Sequence, residues 1–241
     1  MKRVELLPDG TLGLLFQITD GSVARPGSRD GNLYVVGTRT TALYKTTQAV
    51  PLAVMLRFRP GTASAILGVP AQQLTDRIVG LEDLWGADGR HLRRTMLSVA
   101  EIPDMIALLQ ATIEARAIRA GQSPSLHLAQ QAVSLITRRP TPISVADLAA
   151  RLEVTTRHLR RVFTTEVGIG PKEFLRVIRF QRAAGAAAPQ NWASVAAEAG
   201  YYDQAHMIRD FRALTGRTPS RLQAAAHVRR HKSQGTTMVV P

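Results

Sequence analysis

Residues 145–171 read VADLAARLEVTTRHLRRVFTTEVGIGP, and residues 195–219 read VAAEAGYYDQAHMIRDFRALTGRTP. The two stretches align at an offset of 48 residues with six identities, which are Ala149/Ala197, His158/His206, Arg161/Arg209, Phe163/Phe211, Gly168/Gly216 and Pro171/Pro219. Each stretch predicts a short apolar helix, a turn, and a second helix that ends in Gly-x-x-Pro. The chain therefore contains an internal repeat, and each copy has the plan of a helix-turn-helix motif.

The turn residues of the repeat support this plan. Ala149 and Ala197 are small, which predicts that the second helix packs closely across the first in both copies. Thr155 is placed to cap the second helix of copy one. Gly200 predicts a left-handed turn residue in copy two, because glycine reaches that conformation at little cost. In such motifs the second helix enters the DNA major groove.

The second helix of copy one has two faces when it is drawn at 100° per residue. Its apolar side is Leu159, Val162 and Phe163, and its polar side is Arg157, Arg160, Arg161 and Thr164. No carboxylate occurs between Glu153 and Glu166, whereas an ordinary solvated face would interleave acids with the arginines. Arginines in this arrangement suit phosphate contact and bidentate recognition of guanine.

The second helix of copy two is less basic. Its inward residues are expected to be Met207, Phe211 and Leu214, and its outward residues Ala205, His206, Arg209 and Arg212. Gln204 starts the helix, where its amide can reach adenine edges. This helix either reads bases with few phosphate contacts or binds DNA more weakly than copy one.

Charge and composition point to the same partner. The chain has 241 residues and a formal net charge of +13, of which residues 121–241 carry +10 and residues 1–120 only +3. This asymmetry favours a polyanion over a merely solubilising basic surface. Double-stranded DNA is therefore the expected partner.

The sequence favours no enzyme class. There is no cysteine, so disulfides, thiolate metal sites and cysteine nucleophiles are excluded. The six histidines lack zinc-ligand spacing with carboxylates, and neither a phosphate-binding Gly-Lys loop nor a nucleophile elbow is present. We expect no catalytic residues, no metal and no cofactor.

No apolar run approaches the ~18 residues needed to span a membrane. The N-terminus begins like a signal peptide, but Glu5, Pro8 and Asp9 interrupt any apolar core. We therefore expect no membrane association and a cytoplasmic location.

The N-terminal half predicts an antiparallel β unit with one buried face, followed by helices. Strands are expected at residues 12–18, 33–36 and 52–59, a loop at 21–31, and helices at 63–67, 71–75 and 102–118. In the strand 52–59, apolar residues alternate with Ala53, Met55, Arg57 and Arg59. The apolar stripe of helix 102–118 suits a core, with a dimer surface as the alternative.

These elements define an α+β protein. Residues 1–120 are predicted to form a β-rich domain with helices, which senses a ligand or dimerises. Residues 121–230 are predicted to form an all-α DNA-binding domain, after a linker at 120–125. The chain from about His227 lacks periodicity, and residues 231–241 are predicted to be a disordered tail.

Residues 126–226 resemble the DNA-binding domain of the AraC/XylS family of bacterial transcription regulators. Two passages carry the resemblance, VADLAARLEVTTRHLRRVFTTEVGIGPKEFLRVIRFQRA (145–183) and VAAEAGYYDQAHMIRDFRALTGRTPSRL (195–222). The resemblance implies a helix at about 171–187 that joins the two motifs. The one departure is Met207, where many relatives have phenylalanine, and methionine can fill the same apolar gap.

The resemblance implies which residues face the bases. With Thr155 at the helix start, the candidate DNA-contacting residues are Thr155, Arg157, Arg160, Arg161, Gln204, Ala205, His206 and Arg209. DNA-repair alkyltransferases share this type of domain but need acceptor cysteines, which this chain lacks.

The N-terminal part resembles, more loosely, a subgroup of these regulators through Pro8-Asp9-Gly10 and FRPGTASAILGVPAQQLTD (58–76). Such regulators often sense a small ligand and dimerise through this part, so the candidate partners include an effector, a second copy and RNA polymerase. A constitutive DNA-binding module without an effector is the alternative. Arg57 and Arg59 suit either an anion site or a solvated face, and Tyr34 and Tyr44 either a pocket or the core.

Overall fold

The computed structural model describes residues 2–20, 29–47, 50–138, 143–186, 191–230 and 236–239. The strands of the N-terminal half are β1 (Lys2–Leu6), β2 (Gly13–Asp20), β3 (Asp30–Val36), β4 (Leu43–Thr47), β5 (Leu52–Arg57) and β6 (Ile78–Gly80). β1 pairs with β4, and a five-stranded sheet has the order β6-β3-β2-β5-β7, in which β7 is Thr236–Val239.

The predicted antiparallel unit is confirmed. β2 lies between β3 and β5 and pairs antiparallel with both. Leu14, Phe16 and Ile18 of β2 are fully buried, as are Val54 and Leu56 of β5. The alternation in 52–59 therefore reports a sheet with one face on the core. Of the predicted loop 21–31, residues 21–28 lie outside the described ranges, whereas Asp30 and Gly31 already belong to β3.

The C-terminal residues differ from the disorder expected for them. The last helix continues to Arg230, beyond His227, and Thr236–Val239 forms β7, parallel to β5. Without β7, the β5 edge would present unpaired N–H and C=O groups, and Thr and Val favour extended backbone. The run Thr236–Val239 shows no alternation of apolar and polar residues, so nothing in the local pattern indicated a strand. Residues 231–235, 240 and 241 lie outside the described ranges.

The helices of the first half are α1 (Ala63–Leu67), α2 (Leu81–Trp85), α3 (Ala87–Ser98) and α4 (Ile102–Ala120), with a 3₁₀ turn at Ala71–Leu74. Met105, Leu109 and Ile113 of α4 pack with Phe16 of β2 and with Phe58, which follows β5, in one core cluster. The centre of the α4 stripe is therefore core within this chain. α2 and α3 were not predicted from the sequence.

The second half is helical. Its elements are α5 (Pro124–Thr137), α6 (Val145–Arg151), α7 (Thr156–Val167), α8 (Pro171–Ala184), α9 (Trp192–Glu198), α10 (Gln204–Thr215) and α11 (Pro219–Arg230). α5 begins at Pro124, with Ser123 accepting a 3.1 Å hydrogen bond from the Leu126 amide, so the connection after α4 is shorter than the predicted 120–125 linker. The α+β class, with a helical half that carries two helix-turn-helix motifs, is confirmed.

α8 joins two separate cores. Phe174 and Val177 pack with the first motif, where the Phe163 and Phe174 rings meet edge to face with centroids 5.3 Å apart. One turn further on, Phe180 and Ala183 pack with the second motif, where Phe180 meets Phe211 at 4.8 Å. α8 ends at Ala184, before the residue 187 expected from the resemblance. In the part of the chain that the structure describes, no helix has both the length and the apolar character to cross a bilayer.

Candidate nucleic-acid interface

The start of α7 is held by side-chain caps. Ser144 caps α6, and its hydroxyl accepts a 3.0 Å hydrogen bond from the Asp147 amide. Glu153 then takes a left-handed conformation (φ 55°) that ends the first helix. The Thr155 hydroxyl accepts the His158 amide at 3.1 Å, which confirms the predicted cap. These bonds set the direction in which α7 leaves the motif.

The second motif uses the same plan with different residues. Gly200 has φ 83°, as predicted for its turn, and Asp203 caps α10 by accepting the His206 amide at 2.6 Å. The connection between α9 and α10 spans 199–203, whereas that between α6 and α7 spans 152–155. The turn of the second motif is thus one residue longer.

This extra residue corrects one pair of the repeat. The Val154 amide donates to the Ala149 carbonyl at 3.1 Å, and the equivalent bond runs from Tyr201 to Ala196 at 2.8 Å. Ala149 and Ala196 are both buried, whereas Ala197 is exposed. The small residue that allows close helix packing in the second motif is therefore Ala196. The prediction that Ala197 has this role is wrong.

The outward face of α7 is strongly basic. Arg157, Arg160 and Arg161 are exposed, while Leu159 and Phe163 are fully buried on the opposite side. Among the described residues, Arg157 and Arg160 have no carboxylate within ion-pairing distance, and the Arg161 guanidinium lies 3.1 Å from Nδ1 of His158.

The acidic residue of α7 does not neutralise this face. Glu166 is buried, and its carboxylate accepts a hydrogen bond from the Ser64 hydroxyl of α1. A charged surface without interleaved carboxylates attracts phosphate groups. The structure thus brings together the predicted residues of copy one on a single exposed surface.

The outward face of α10 carries fewer cations. Gln204, Ala205 and Arg209 are exposed, but His206 is half-buried and packs edge-on against the Tyr201 ring, with centroids 5.3 Å apart. His206 therefore divides its surface between the motif core and the outside.

The acidic residue of α10 also points inward. Asp210 is buried and pairs with Arg176 at 2.8 Å and Arg179 at 3.7 Å, both on α8. Burial, and then the charge of Asp210, raise the pKa of the Tyr201 phenol, which keeps it neutral. Asp210 thus neutralises the arginines of the joining helix and leaves the basic surface concentrated on α7.

Sequence reasoning missed one exposed residue beside α10. Tyr202 is 93% exposed and immediately precedes the cap Asp203. It lies in the turn, where helical periodicity gives no signal. It lies two residues before Gln204, so an aromatic side chain is exposed at the start of α10.

For four residues of the N-terminal half, the sequence allowed two roles each, and the structure puts each of them in a different environment. The half-buried Arg57 pairs with Asp9 and donates to the Thr11 hydroxyl at 3.0 Å, and burial lowers the pKa of its guanidinium. Arg57 is therefore neither a solvated side chain nor a free anion site. Arg59 is exposed, and Tyr34 is half-buried on β3. The Tyr44 hydroxyl donates to the Thr215 carbonyl at 2.7 Å, so Tyr44 contacts the second motif.

Comparison with known proteins agrees with these motifs. Residues 148–225 match the family model described as a helix-turn-helix domain, and residues 1–80 match a domain of unknown function, DUF6597. No protein of curated function is detectably similar in sequence to this chain.

Similar solved structures include a probable AraC family transcriptional regulator from Rhodopseudomonas palustris CGA009, with 25% identity over 42% of this chain and 97% of that chain and a TM-score of 0.37. ToxT from Vibrio cholerae O395 has 10% identity over 92% of this chain and 93% of that one, with a TM-score of 0.42. Unsaturated fatty acid bound ToxT from strain SCE256 has 12% identity over the same shares, with a TM-score of 0.43. Residues 148–225 of the chain therefore carry a helix-turn-helix domain.

Proposed function

We propose that this protein is a sequence-specific transcription regulator that binds duplex DNA through α7 and α10. The observation that carries the proposal is the exposed arginine face of α7. Its cations lie at the start of a capped recognition helix, and the nearby carboxylate of Glu166 is turned into the protein. In this class of motif the first turns of that helix meet the base edges.

The two motifs contact DNA in different ways. Arg157, Arg160 and Arg161 supply phosphate contacts and guanine recognition, and Thr155 still has its hydroxyl proton to donate. In the second motif Gln204 reads adenine, with Ala205, His206 and Arg209 beside it.

We place the DNA-binding domain at 121–230 and the sensing or dimerising domain at 1–120. Such a regulator acts in the cytoplasm, catalyses no reaction and has RNA polymerase as a candidate partner.

Arg161→Ala is expected to lower discrimination between the preferred base pair and its substitutions by roughly 1–3 kcal/mol, because one bidentate contact is lost. The measurement is the equilibrium affinity of the full chain for a DNA site selected from random sequence, and for single base-pair changes in that site. Arg94→Ala is the matched control, since Arg94 is also an exposed helical arginine but lies on α3. Equal losses in both variants would mean that only net charge matters, and the proposed readout would be wrong.

We also propose that a small-molecule effector regulates the protein. The supporting observation is a cavity of about 870 Å³ between α1, α4 and α5. Ile66, Ile113, Leu126 and Val133 give it apolar walls, and Gln130 and Ser134 add polar groups. This size and lining are typical of small-molecule sites. The cavity joins the two halves of the chain, so a ligand there would contact both.

An effector that binds this cavity is expected to raise the melting temperature, by an amount equivalent to about 2.7 kcal/mol at a hundredfold excess over its Kd. The measurement is a thermal-shift screen of the full chain against a broad set of metabolites. Ala117→Trp should fill the cavity from the exposed side of α4 and abolish the shift. Ala111→Trp, exposed on the same helix outside the lining, should retain it. A screen without any shift would favour a constitutive module.

A further inference from the structure

The last residues of the two recognition helices are bound by one segment of the N-terminal half. Val167 ends α7 and Thr215 ends α10, and the two positions are equivalent in the 48-residue repeat. The carbonyl groups in the final turn of a helix have no partner within the helix. The Thr38 hydroxyl donates to the Val167 carbonyl at 2.8 Å, and the Tyr44 hydroxyl donates to the Thr215 carbonyl at 2.7 Å.

Neighbouring bonds reinforce the contact at the first motif. The Thr75 hydroxyl donates to the Gly168 carbonyl at 2.6 Å, and the Ser64 hydroxyl donates to the Glu166 carboxylate. Thr38 itself is fully buried. A buried hydroxyl that is hydrogen-bonded to one backbone carbonyl tolerates little displacement, since an unpaired polar group is costly. The end of α7 is therefore held in a defined position against the N-terminal half.

The contact at the second motif is built separately. The Ala42 amide donates to the Leu214 carbonyl at 2.7 Å. The guanidinium of Arg217 lies 4.4 Å from the centroid of the Tyr44 ring and 3.5 Å from the Glu5 carboxylate. The segment 38–44 thus reaches from the end of α7 to the end of α10.

The joining helix is held from the same side. Gly10 approaches the Phe174 ring so closely that a Cβ on residue 10 would lie 2.5 Å from Cε2 of that ring. The Gln181 amide donates to the Pro8 carbonyl. Because α8, α7 and α10 all contact the N-terminal half, the angle between the motifs does not depend on the joining helix alone.

We propose that residues 38–44 form a spacing bridge, which fixes the distance and angle between the two recognition helices and so sets the spacing of the DNA half-sites. The proposal rests on the DNA-binding function proposed above. Thr38 and Tyr44 act as positioning residues, because they hold the helix ends that lie away from the proposed base contacts. A second motif with its own free orientation would tolerate several spacings, whereas a bridged pair tolerates one.

The test uses the full chain and a DNA site selected from random sequence, in which the distance between the two half-sites is then changed one base pair at a time. The wild-type protein should prefer one spacing. Thr38→Val and Tyr44→Phe each remove a hydroxyl and keep most of the side-chain shape. Each is expected to reduce the preference for the best spacing roughly fivefold, as for one hydrogen bond lost, and the double variant more. Tyr34→Phe is the matched control, since Tyr34 is half-buried on β3 and takes no part in the bridge.

Thr38→Ser keeps the hydroxyl and should restore the preference, which separates the hydrogen bond from packing. If a valine at this buried position prevents folding, Tyr44→Phe at the half-buried position gives the same readout alone. An unchanged spacing profile in Tyr44→Phe and in a folded Thr38→Val would overturn the bridge while leaving DNA binding intact. A wild-type protein that selects no DNA site would instead overturn the proposed function.

Discussion

Phe163→Ala is expected to unfold the first helix-turn-helix motif at a cost of about 3–5 kcal/mol. The Phe163 side chain is fully buried and packs edge-on against Phe174 of the joining helix. Its removal leaves a cavity between α7 and α8 that the surrounding helices cannot fill. Chemical denaturation of the full chain, followed by circular dichroism, measures the loss.

The matched control is Arg161→Ala on the opposite face of the same helix. Arg161 is exposed, so its replacement should change the free energy of unfolding by no more than about 0.5 kcal/mol. DNA affinity should fall more in Arg161→Ala than in Phe163→Ala when each variant is measured under conditions where it is folded. If Arg161→Ala proves the more destabilising of the two, the assignment of the α7 faces is reversed.

DNA affinity is expected to fall steeply with salt. If the protein neutralises about six phosphates, the log–log slope is near −5, and affinity drops roughly a thousandfold between ~50 and ~200 mM salt. The reason is counterion release by the +10 half of the chain, where the α7 arginines have no carboxylate partner among the described residues. Fluorescence anisotropy at a series of salt concentrations gives the slope.

The α7 arginines should account for part of that slope. Arg157→Ala should make it shallower by about 0.9 if Arg157 contacts one phosphate. Arg94→Ala on α3 should leave it unchanged. An affinity that does not vary with salt would contradict the polyanion as partner.

The helix-turn-helix motifs were predictable because their signals are local. In each motif the helix caps, the apolar stripe and a left-handed glycine at the end of the second helix (Gly168 or Gly216) lie within about 25 residues of each other, and the repeat shows them twice. Strand β5 was predictable for the same reason, although it ends at Arg57 and not at residue 59, since alternation of apolar residues reports one buried face.

Contacts between distant parts of the chain left no such signal. Thr38 and Val167 are separated by 129 residues, and Tyr44 and Thr215 by 171. A hydrogen bond from a hydroxyl to a backbone carbonyl places no requirement on the side chain of the accepting residue. The sequence therefore did not decide whether Tyr44 lines a pocket or packs in the core. β7, whose partner β5 is far away in the sequence, was missed because Thr236–Val239 shows no alternation of apolar and polar residues. Ala196 was missed because the second turn is one residue longer than the first.

We propose that one chain places two different recognition helices on one face of DNA. α8 has 14 residues, and at about 1.5 Å each it spans roughly 21 Å. With the width of the motifs added, the recognition helices can lie about one DNA turn apart, ~34 Å, and enter successive major grooves. Since the two helices differ in sequence, the DNA site need not be palindromic.

Hydroxyl-radical footprinting of the full chain on its selected site, at a stoichiometry of one chain per site, tests this placement of the two helices. We expect two protected patches about 10 base pairs apart on the same face of the duplex. Arg161→Ala should weaken one patch, and Gln204→Ala the other. A single protected groove per chain would contradict this placement of the two helices. Gln204, Ala205, His206 and Arg209 would then not be DNA contacts, and only the α7 surface would remain as the reader.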